Sequence, residues 1–181
     1  MNVVKGELNH GARTKHMNLF ERIGEQSIFI LQLIFIGQYL MYKNQFAFWA
    51  LFGTVVNIIL NMLTKSGVRK LGEQIGHVLP WFGTLCRPID TNCSRISEIG
   101  YGMPSGHSQI AGFIASFYYF YSKNREEFSK PLFGFYCLLA GTIMITRITA
   151  GMHSIPQVIF GGSIGVLVAY VFATLLKFFN Q

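Results

Sequence analysis

Long apolar runs joined by short polar links constrain this chain more than any other feature. No charged residue occurs from Ser27 to Tyr42, nor from Phe46 to Leu63 after a short polar turn. Three further apolar runs cover Pro104–Ser122, Pro131–Ala150 and Ile155–Phe179. Each run is close to the roughly 17–25 residues that a helix needs to cross a bilayer. Because lipid offers the backbone no hydrogen-bond partner, these runs predict helices and not open strands.

Composition agrees with a membrane protein. Hydrophobic residues make up 51% of the chain and charged residues 13%, with a mean hydropathy of +0.37. A soluble domain usually carries about twice that charged fraction. The formal net charge is +7, but the basic residues are scattered between apolar segments and form no single patch. This distribution argues against a nucleic-acid partner and leaves membrane lipids or an anionic substrate as the expected partners.

The predicted fold is an all-α integral membrane bundle of five transmembrane helices. We expect residues 1–24 to form a polar tail or a short interfacial helix, and residues 25–181 to form one membrane domain. The longest polar stretch, 64–103, contains an apolar island at Ile75–Leu85 that is too short to span. The island would lie in the interface, or provide a sixth helix if it enters the membrane as a re-entrant piece.

The cysteines and acidic residues indicate no metal site. The three cysteines lack metal-type spacing, and Cys137 lies inside an apolar run, where a plain packing role is expected. Cys86 and Cys93 bracket a polar loop, and a disulfide between them would require an oxidising compartment. Because Asp90 and Glu98 are isolated, we expect neither a metal nor another cofactor.

Titratable residues cluster where the apolar runs begin and end. Five crossings counted from the N-terminus place the 64–103 loop and three helix ends on one side of the membrane. That side then carries Arg87, His107, Arg147 and His153. Because charged groups at the edge of apolar helices are costly, their convergence predicts one functional site.

The start of the third apolar run suits an anion. It reads Pro104-Ser105-Gly106-His107, and proline is well tolerated in the first turn of a helix. Ser105 and Gly106 would then offer backbone N–H groups, a hydroxyl and close backbone access to a phosphate oxygen. Taken alone, these four residues fit ordinary helix capping equally well.

The link before the fifth run carries a possible nucleophile. Five residues separate Arg147 from His153, and Gly151 between them permits a sharp turn. His153 and Gln157 are four residues apart and share a helix face. If the Gln157 side-chain carbonyl accepts the Nδ1 proton, Nε2 of His153 is free to attack phosphorus. A lone histidine at a helix start more often caps or packs, but the neighbouring Arg147 favours a phosphate site.

Together these residues resemble the signature of the phosphatidic acid phosphatase type 2 superfamily. Its three parts are Lys-x6-Arg-Pro, Pro-Ser-Gly-His and Ser-Arg-x5-His-x3-Asp. This chain has, in the same order and spacing, Arg87-Pro88, Pro104–His107, Thr146-Arg147, His153 and Gln157. The segments Tyr101–Gln109 and His153–Gly162 are similar to the dolichyl-diphosphatase-like members, in which Gln commonly replaces the signature Asp. The resemblance extends over roughly residues 55–165.

The resemblance implies an integral-membrane, metal-independent lipid phosphatase that hydrolyses a polyprenyl diphosphate of the dolichyl type. It implies that His153, oriented by Gln157, forms a phosphohistidine intermediate and that His107 is the general acid. The residues it implies for phosphate binding are Arg87, Ser105, Gly106 and Arg147. It also implies a multi-pass protein of the endoplasmic reticulum or of another internal or cell membrane.

One part of the signature is incomplete. The residue seven positions before Arg87 is Pro80, so the signature lysine is absent at its spacing. Lys70, which we include among the predicted phosphate ligands, or Lys65 would replace it if the intervening stretch is an insertion. Otherwise Asn61 occupies the old position and the contact is lost.

These departures keep other functions open. The alternatives are a catalytically degenerate member that binds an anionic lipid or serves structurally, and a phosphatidate-type lipid phosphomonoesterase. Orientation is open as well. The surplus of basic residues on the site side would place that side in the cytoplasm, whereas relatives usually have the site on the lumenal or outer face.

Overall fold

The computed structural model describes residues 19–76, 78–79, 83–88 and 101–179. Along this part of the chain the elements are five helices and one short strand pair. They are α1 Leu19–Tyr42, α2 Gln45–Ile75, β1 Val78–Leu79, β2 Gly83–Thr84, α3 Gly106–Asn124, α4 Lys130–Thr149 and α5 Ile155–Phe179. The prediction of an all-α membrane bundle is confirmed.

Four of the helices are long and apolar enough to cross a membrane. They contain the segments Arg22–Tyr42, Gln45–Ile75, Lys130–Thr149 and Ile155–Phe179. The remaining predicted span, α3, is more polar, contacts each of the other four helices and buries more than half of its 19 residues. Because its neighbours shield it from lipid, α3 tolerates buried polar residues such as Ser108 and Gln109.

The second helix is longer than the apolar run that predicted it. The run ends at Leu63, whereas α2 continues through Lys65 and Lys70 to Ile75 and is capped by Gly76 in the left-handed region, at φ 79°. At 1.5 Å per residue its 31 residues span about 46 Å, against about 30 Å of hydrocarbon. Residues 64–75 were therefore wrongly assigned to a loop: they extend the helix beyond the apolar layer.

The apolar island at Ile75–Leu85 forms no sixth helix within the described residues. Ile75 ends α2, and β1 and β2 then pair antiparallel. Leu85 is fully buried in a small cluster. The other buried members of that cluster are Cys86, Tyr101 and Met103. This cluster holds the segment that precedes α3 against the bundle.

The first helix begins earlier than predicted. α1 starts at Leu19, ahead of Ser27 and of the predicted boundary at residue 24. Residues 1–18 lie outside the described part of the chain. The assignment of 25–181 to one domain stays a prediction.

Close backbone contact between α3 and α5 positions the start of each helix. A Cβ atom added to Gly161 would collide with the backbone of Ser105, and one added to Gly165 would collide with that of Gln109. Gly112 in turn faces the carbonyl of Gly162. Small residues let helices approach this closely in a membrane, so the start of α3 rests directly on the first turns of α5.

Candidate active site

His153 lies in the link between α4 and α5 and is only 4% exposed. Gly151 turns the chain with a φ of 68°, a conformation that glycine adopts without steric cost. The N–H groups of Gly151 and Met152 donate to the carbonyls of Ile148 and Arg147, at 2.9 and 3.1 Å. These two bonds form a Schellman motif at the end of α4. The His153 N–H donates to the same Arg147 carbonyl at 3.1 Å, which fixes the histidine beside the arginine.

Two acceptors orient the His153 ring. Its Nδ1 lies 2.8 Å from the carbonyl oxygen of Gly102 and 3.3 Å from Oε1 of Gln157. Because a backbone carbonyl can only accept, Nδ1 carries the proton and Nε2 keeps a lone pair in the neutral ring. The expected Gln157 contact is present, but Gly102 makes the shorter one. Sequence reasoning missed Gly102, whose only signal was a glycine just before the Pro-Ser-Gly-His segment.

Gln157 connects three segments of the site. Its Oε1 also accepts from the Ser154 N–H at 3.2 Å, and its Nε2 donates to the Cys86 carbonyl at 2.7 Å. These partners fix which end of the amide faces His153. The Gln157 backbone carbonyl accepts from the Ser105 N–H at 3.2 Å. The segment that carries His153, the loop that carries Arg87 and the start of α3 thus meet at one residue.

Three cations surround His153. Arg147 is 3% and Lys65 is 8% exposed, and Arg87 is half-buried. Burial, followed by the positive charges of Arg147, Arg87 and Lys65, lowers the pKa of His153 to about 3. The imidazole is therefore neutral at physiological pH and stands in positive surroundings, as attack on an anionic phosphoryl group requires.

The extension of α2 brings one of the two proposed lysines into the site. Lys65 is buried and acts electrostatically on His153. Lys70, named in the predicted site, lies exposed on α2 because five further residues rotate it about 140° around the helix. Asn61, the third alternative, is engaged with α3: its Nδ2 donates to Oε1 of Gln109 at 2.9 Å.

Ser105 is the N-cap residue of α3. Its Oγ accepts from the Ser108 hydroxyl at 2.9 Å and from the Ser108 N–H at 3.5 Å, and the residue is fully buried. The peptide bond before Pro104 is cis. Gly106 and His107 follow in the first turn and are half-buried. Because the first N–H groups of a helix have no intrahelical acceptor, this turn can receive a phosphate oxygen.

A cavity of about 260 Å³ adjoins the site between α2 and α3. Lys65 and Gly106 are among its lining residues. Its other lining residues are Asn57, Ile58, Asn61, Met62 and Ile110. The cavity therefore combines a charged side chain with mostly apolar walls, which suits an amphipathic ligand.

Of the two described cysteines, Cys86 and Cys137, the second does not lie where the sequence predicted. Cys86 is disulfide-bonded, and Cys93, with which the sequence allows a disulfide, lies outside the described residues. Cys137 is a free thiol on the exposed surface of α4, so its predicted place in the core was wrong. On a membrane helix an apolar residue can face lipid instead of the protein interior.

The chain belongs to the PAP2 superfamily, whose family model matches residues 46–181. That stretch covers the last four helices and every residue of the candidate site. The fold and the site thus define a multi-pass membrane protein of this superfamily.

Two curated relatives match this chain at low sequence identity. A dolichyldiphosphatase of Saccharomyces cerevisiae is 30% identical over 124 residues, which are 64% of this chain and 46% of that protein. A palmitoyl-protein thioesterase-dolichyl pyrophosphate phosphatase fusion of Schizosaccharomyces pombe is 25% identical over 170 residues, or 82% of this chain and 27% of that protein. The chain thus spans less than half the length of these curated relatives.

A solved structure shares the architecture. The crystal structure of the PAP2-type phosphatidylglycerolphosphate phosphatase from Bacillus subtilis matches with a TM-score of 0.56 and 21% identity. The match covers 90% of this chain and 75% of that one. At this level of identity, the likeness concerns the fold.

Proposed function

We propose that this protein is a lipid phosphatase that hydrolyses a polyprenyl diphosphate of the dolichyl type through a phosphohistidine on His153. The observation that carries the proposal is the neutral, buried His153 ring, whose Nδ1 is bonded to Gly102 and Gln157 and whose pKa three nearby cations help to lower. The cavity beside Lys65 has the apolar walls that a lipid chain needs. Two curated relatives named for dolichyl diphosphate hydrolysis support the same substrate class.

In the first step, Nε2 of His153 attacks the terminal phosphorus. A phosphorus–nitrogen bond forms while the bond to the bridging oxygen breaks, and the polyprenyl monophosphate leaves. His107, in the first turn of α3, would supply a proton to that oxygen. Lys65, Arg87 and Arg147 would hold the phosphoryl oxygens, because phosphoryl transfer depends mostly on positioning and charge stabilisation.

In the second step, water attacks the phosphohistidine. His107 takes a proton from that water, the phosphorus–nitrogen bond breaks, and inorganic phosphate leaves with Nε2 restored. The phosphorylated ring carries positive charge while Nδ1 remains protonated. The carbonyl of Gly102 and Oε1 of Gln157 both accept from Nδ1–H. Hydrogen bonds to a charged donor are stronger than neutral ones, so two neutral acceptors would take over part of the role of the signature Asp.

Lys65 favours an active enzyme over a degenerate lipid-binding member. The degenerate alternative rests on the missing signature lysine before Arg87. A buried lysine that shares the electrostatic environment of His153 fills that deficit from an earlier turn of α2.

The test is phosphate release from polyprenyl diphosphate by the purified full chain in detergent micelles, with EDTA present. We expect turnover that EDTA leaves intact, and a loss of at least a thousandfold in His153→Ala, since removal of a nucleophile leaves only binding and charge stabilisation. Lys70→Ala serves as the matched surface control and should retain wild-type activity.

Three results would contradict the proposal. Equal activity of wild type and His153→Ala would refute the phosphohistidine mechanism. A wild type that releases phosphate from phosphatidate but not from polyprenyl diphosphate would move the substrate to the phosphomonoester class. Inactivity on both lipids would favour the degenerate alternative.

A further inference from the structure

Three buried amide side chains link α2 to α3 just below the phosphate-binding turn. Gln109 on α3 is fully buried, as is Asn57 on α2, and Asn61 on α2 is 9% exposed. We call these three residues the amide cluster. Unpaired amides are expensive in an apolar setting, so their placement inside a membrane bundle requires mutual bonding.

The hydrogen bonds of the amide cluster run in one direction. Gln109 Nε2 donates to both the backbone carbonyl and Oδ1 of Asn57, each at 3.1 Å. Asn61 Nδ2 donates to Gln109 Oε1 at 2.9 Å and to the Pro104 carbonyl at 3.4 Å. Asn57 Nδ2 donates to Gly53 within α2 at 2.8 Å. Each amide therefore has a fixed orientation, and the bond from Asn61 to the Pro104 carbonyl reaches the turn that begins α3.

The same face of α2 also carries Lys65. Asn57, Asn61 and Lys65 follow at four-residue spacing, so they form one stripe along the helix. The stripe lines the cavity, and Gly106 lines the same cavity from the start of α3. A slip of α2 against α3 by one helical turn would move Lys65 by about 5.4 Å. Such a slip would break every bond of the amide cluster between α2 and α3.

We propose that Asn61 and Gln109 are positioning residues, which set the register of α2 against α3 and thereby hold Lys65 opposite the Pro104–His107 turn. They act through Lys65 and not on substrate. The inference rests on the proposed function for its kinetic readout, but phosphate binding by the same residues can be measured without turnover.

The first measurement is steady-state hydrolysis of polyprenyl diphosphate by Asn61→Ala and Gln109→Leu. We expect kcat to fall ten- to a hundredfold in each, because a displacement near 1 Å at a catalytic group is enough for such a loss. Thr54→Val is the matched control: it removes a buried inter-helix contact of α2, the 3.3 Å bond from Gln32, away from the site. Its kcat should stay within twofold of wild type.

The second measurement separates positioning from general destabilisation. In a Lys65→Ala background, Gln109→Leu should lower kcat by less than a further twofold, since the group it positions is already absent. If the two losses multiply, the amide cluster does not act through Lys65. Asn61→Ala provides the same test if Gln109→Leu fails to fold, because Asn61 borders an open cavity and its truncation displaces nothing.

The third measurement is the rise in melting temperature caused by millimolar inorganic phosphate. Wild type should show a rise, and Asn61→Ala and Lys65→Ala should show less than half of it. A full rise in Asn61→Ala would overturn the inference and leave the proposed function intact. A wild type that turns over no lipid but shows this pattern would overturn the proposed function and keep the inference. No rise in wild type would overturn the inference, and lipid turnover alone would then decide the proposed function.

Discussion

At His153, burial and positive charge act on the ring in the same direction. Both disfavour the imidazolium, and so the pKa falls from its usual 6.5 to about 3. The Nδ1 proton is held by Gly102 and Gln157, which leaves only Nε2 for chemistry. A bound phosphate would offset the three cations and bring the pKa back up. In the proposed mechanism the ring is therefore neutral when it attacks and positively charged once the phosphohistidine has formed.

This shift predicts a pH-dependent stability. Because the folded pKa lies below the unfolded one, the neutral ring's contribution is fully present above about pH 6.5 and is lost as the pH falls towards 3. By pH 5 the loss would reach about 2 kcal/mol. Melting temperatures in micelles should therefore drop more steeply between pH 7.5 and 5 in wild type than in His153→Gln. Parallel curves would contradict the neutral, buried histidine, and added phosphate should flatten the wild-type curve.

The two lysines of α2 give a second residue-scale prediction. Lys65→Ala should lower kcat for polyprenyl diphosphate by about a hundred- to a thousandfold, the usual effect of removing one donor that stabilises transition-state charge. Lys70→Ala should change it less than twofold, since Lys70 is exposed on the helix surface. If Lys70→Ala lowers kcat more than Lys65→Ala does, Lys70 and not Lys65 belongs to the site.

Among the elements, the α3–α5 pair carries the Pro104–His107 turn and the residues that follow His153. Gly161 meets the Ser105 backbone, and the Ser105 N–H is bonded to Gln157. The remaining parts of the site come from elsewhere: Lys65 from α2, and Arg87 from the loop behind the small strands. The helix pair is therefore the rigid half of the site, against which the cations are placed.

Substitution of Gly161 tests this contact. Gly161→Ala would force α3 and α5 apart, at a cost of about 1–3 kcal/mol, and should lower kcat at least tenfold. Gly141→Ala on α4 is the matched control, because a Cβ there meets nothing within 4 Å. Activity and melting temperature of the two variants would be compared side by side. Equal kcat in both would show that the separation of α3 and α5 does not govern the site.

Sequence patterns predicted the elements unevenly. Apolar runs located all five helices, because membrane helices are selected for continuous hydrophobicity. The end of α2 was missed, since a helix that leaves the membrane no longer needs apolar residues. The convergence of Arg87, Arg147 and His153 followed from counting crossings. The role of Gly102 was out of reach, because a backbone carbonyl leaves no trace in the sequence. Asn57 and Asn61 could be expected to form hydrogen bonds between helices, but their partner Gln109 could not be identified from the sequence.

For the whole molecule, the disulfide at Cys86 bears on orientation. Disulfides persist in oxidising compartments, and Cys86 directly precedes Arg87 and bonds Gln157 through its carbonyl. We therefore predict that the site lies on the lumenal or outer face, against the tendency of basic loops to stay in the cytoplasm. The cations that cause the conflict include Lys65, Arg87 and Arg147, which the site itself requires.

Thiol labelling in sealed microsomes tests this orientation. In a Cys137→Ser background, membrane-impermeant reductant and maleimide should label the protein only after the vesicles are permeabilised. Labelling of intact vesicles would place Cys86, and with it the candidate site, on the cytoplasmic face. Omission of the reductant should abolish labelling in both conditions if the disulfide is present.

The central place of α3 has a consequence for how the protein enters the membrane. Helices are delivered to the bilayer in the order of synthesis. Among the five described helices, α3 is less apolar than the four that are long and apolar enough to span a membrane. Its glycine face packs against α5, which follows it in synthesis. Until α5 arrives, α3 is poorly suited to face lipid alone. We therefore expect a nascent chain that stops after α4 to leave α3 incompletely inserted, so that membrane integration and formation of the site are completed together by the final helix.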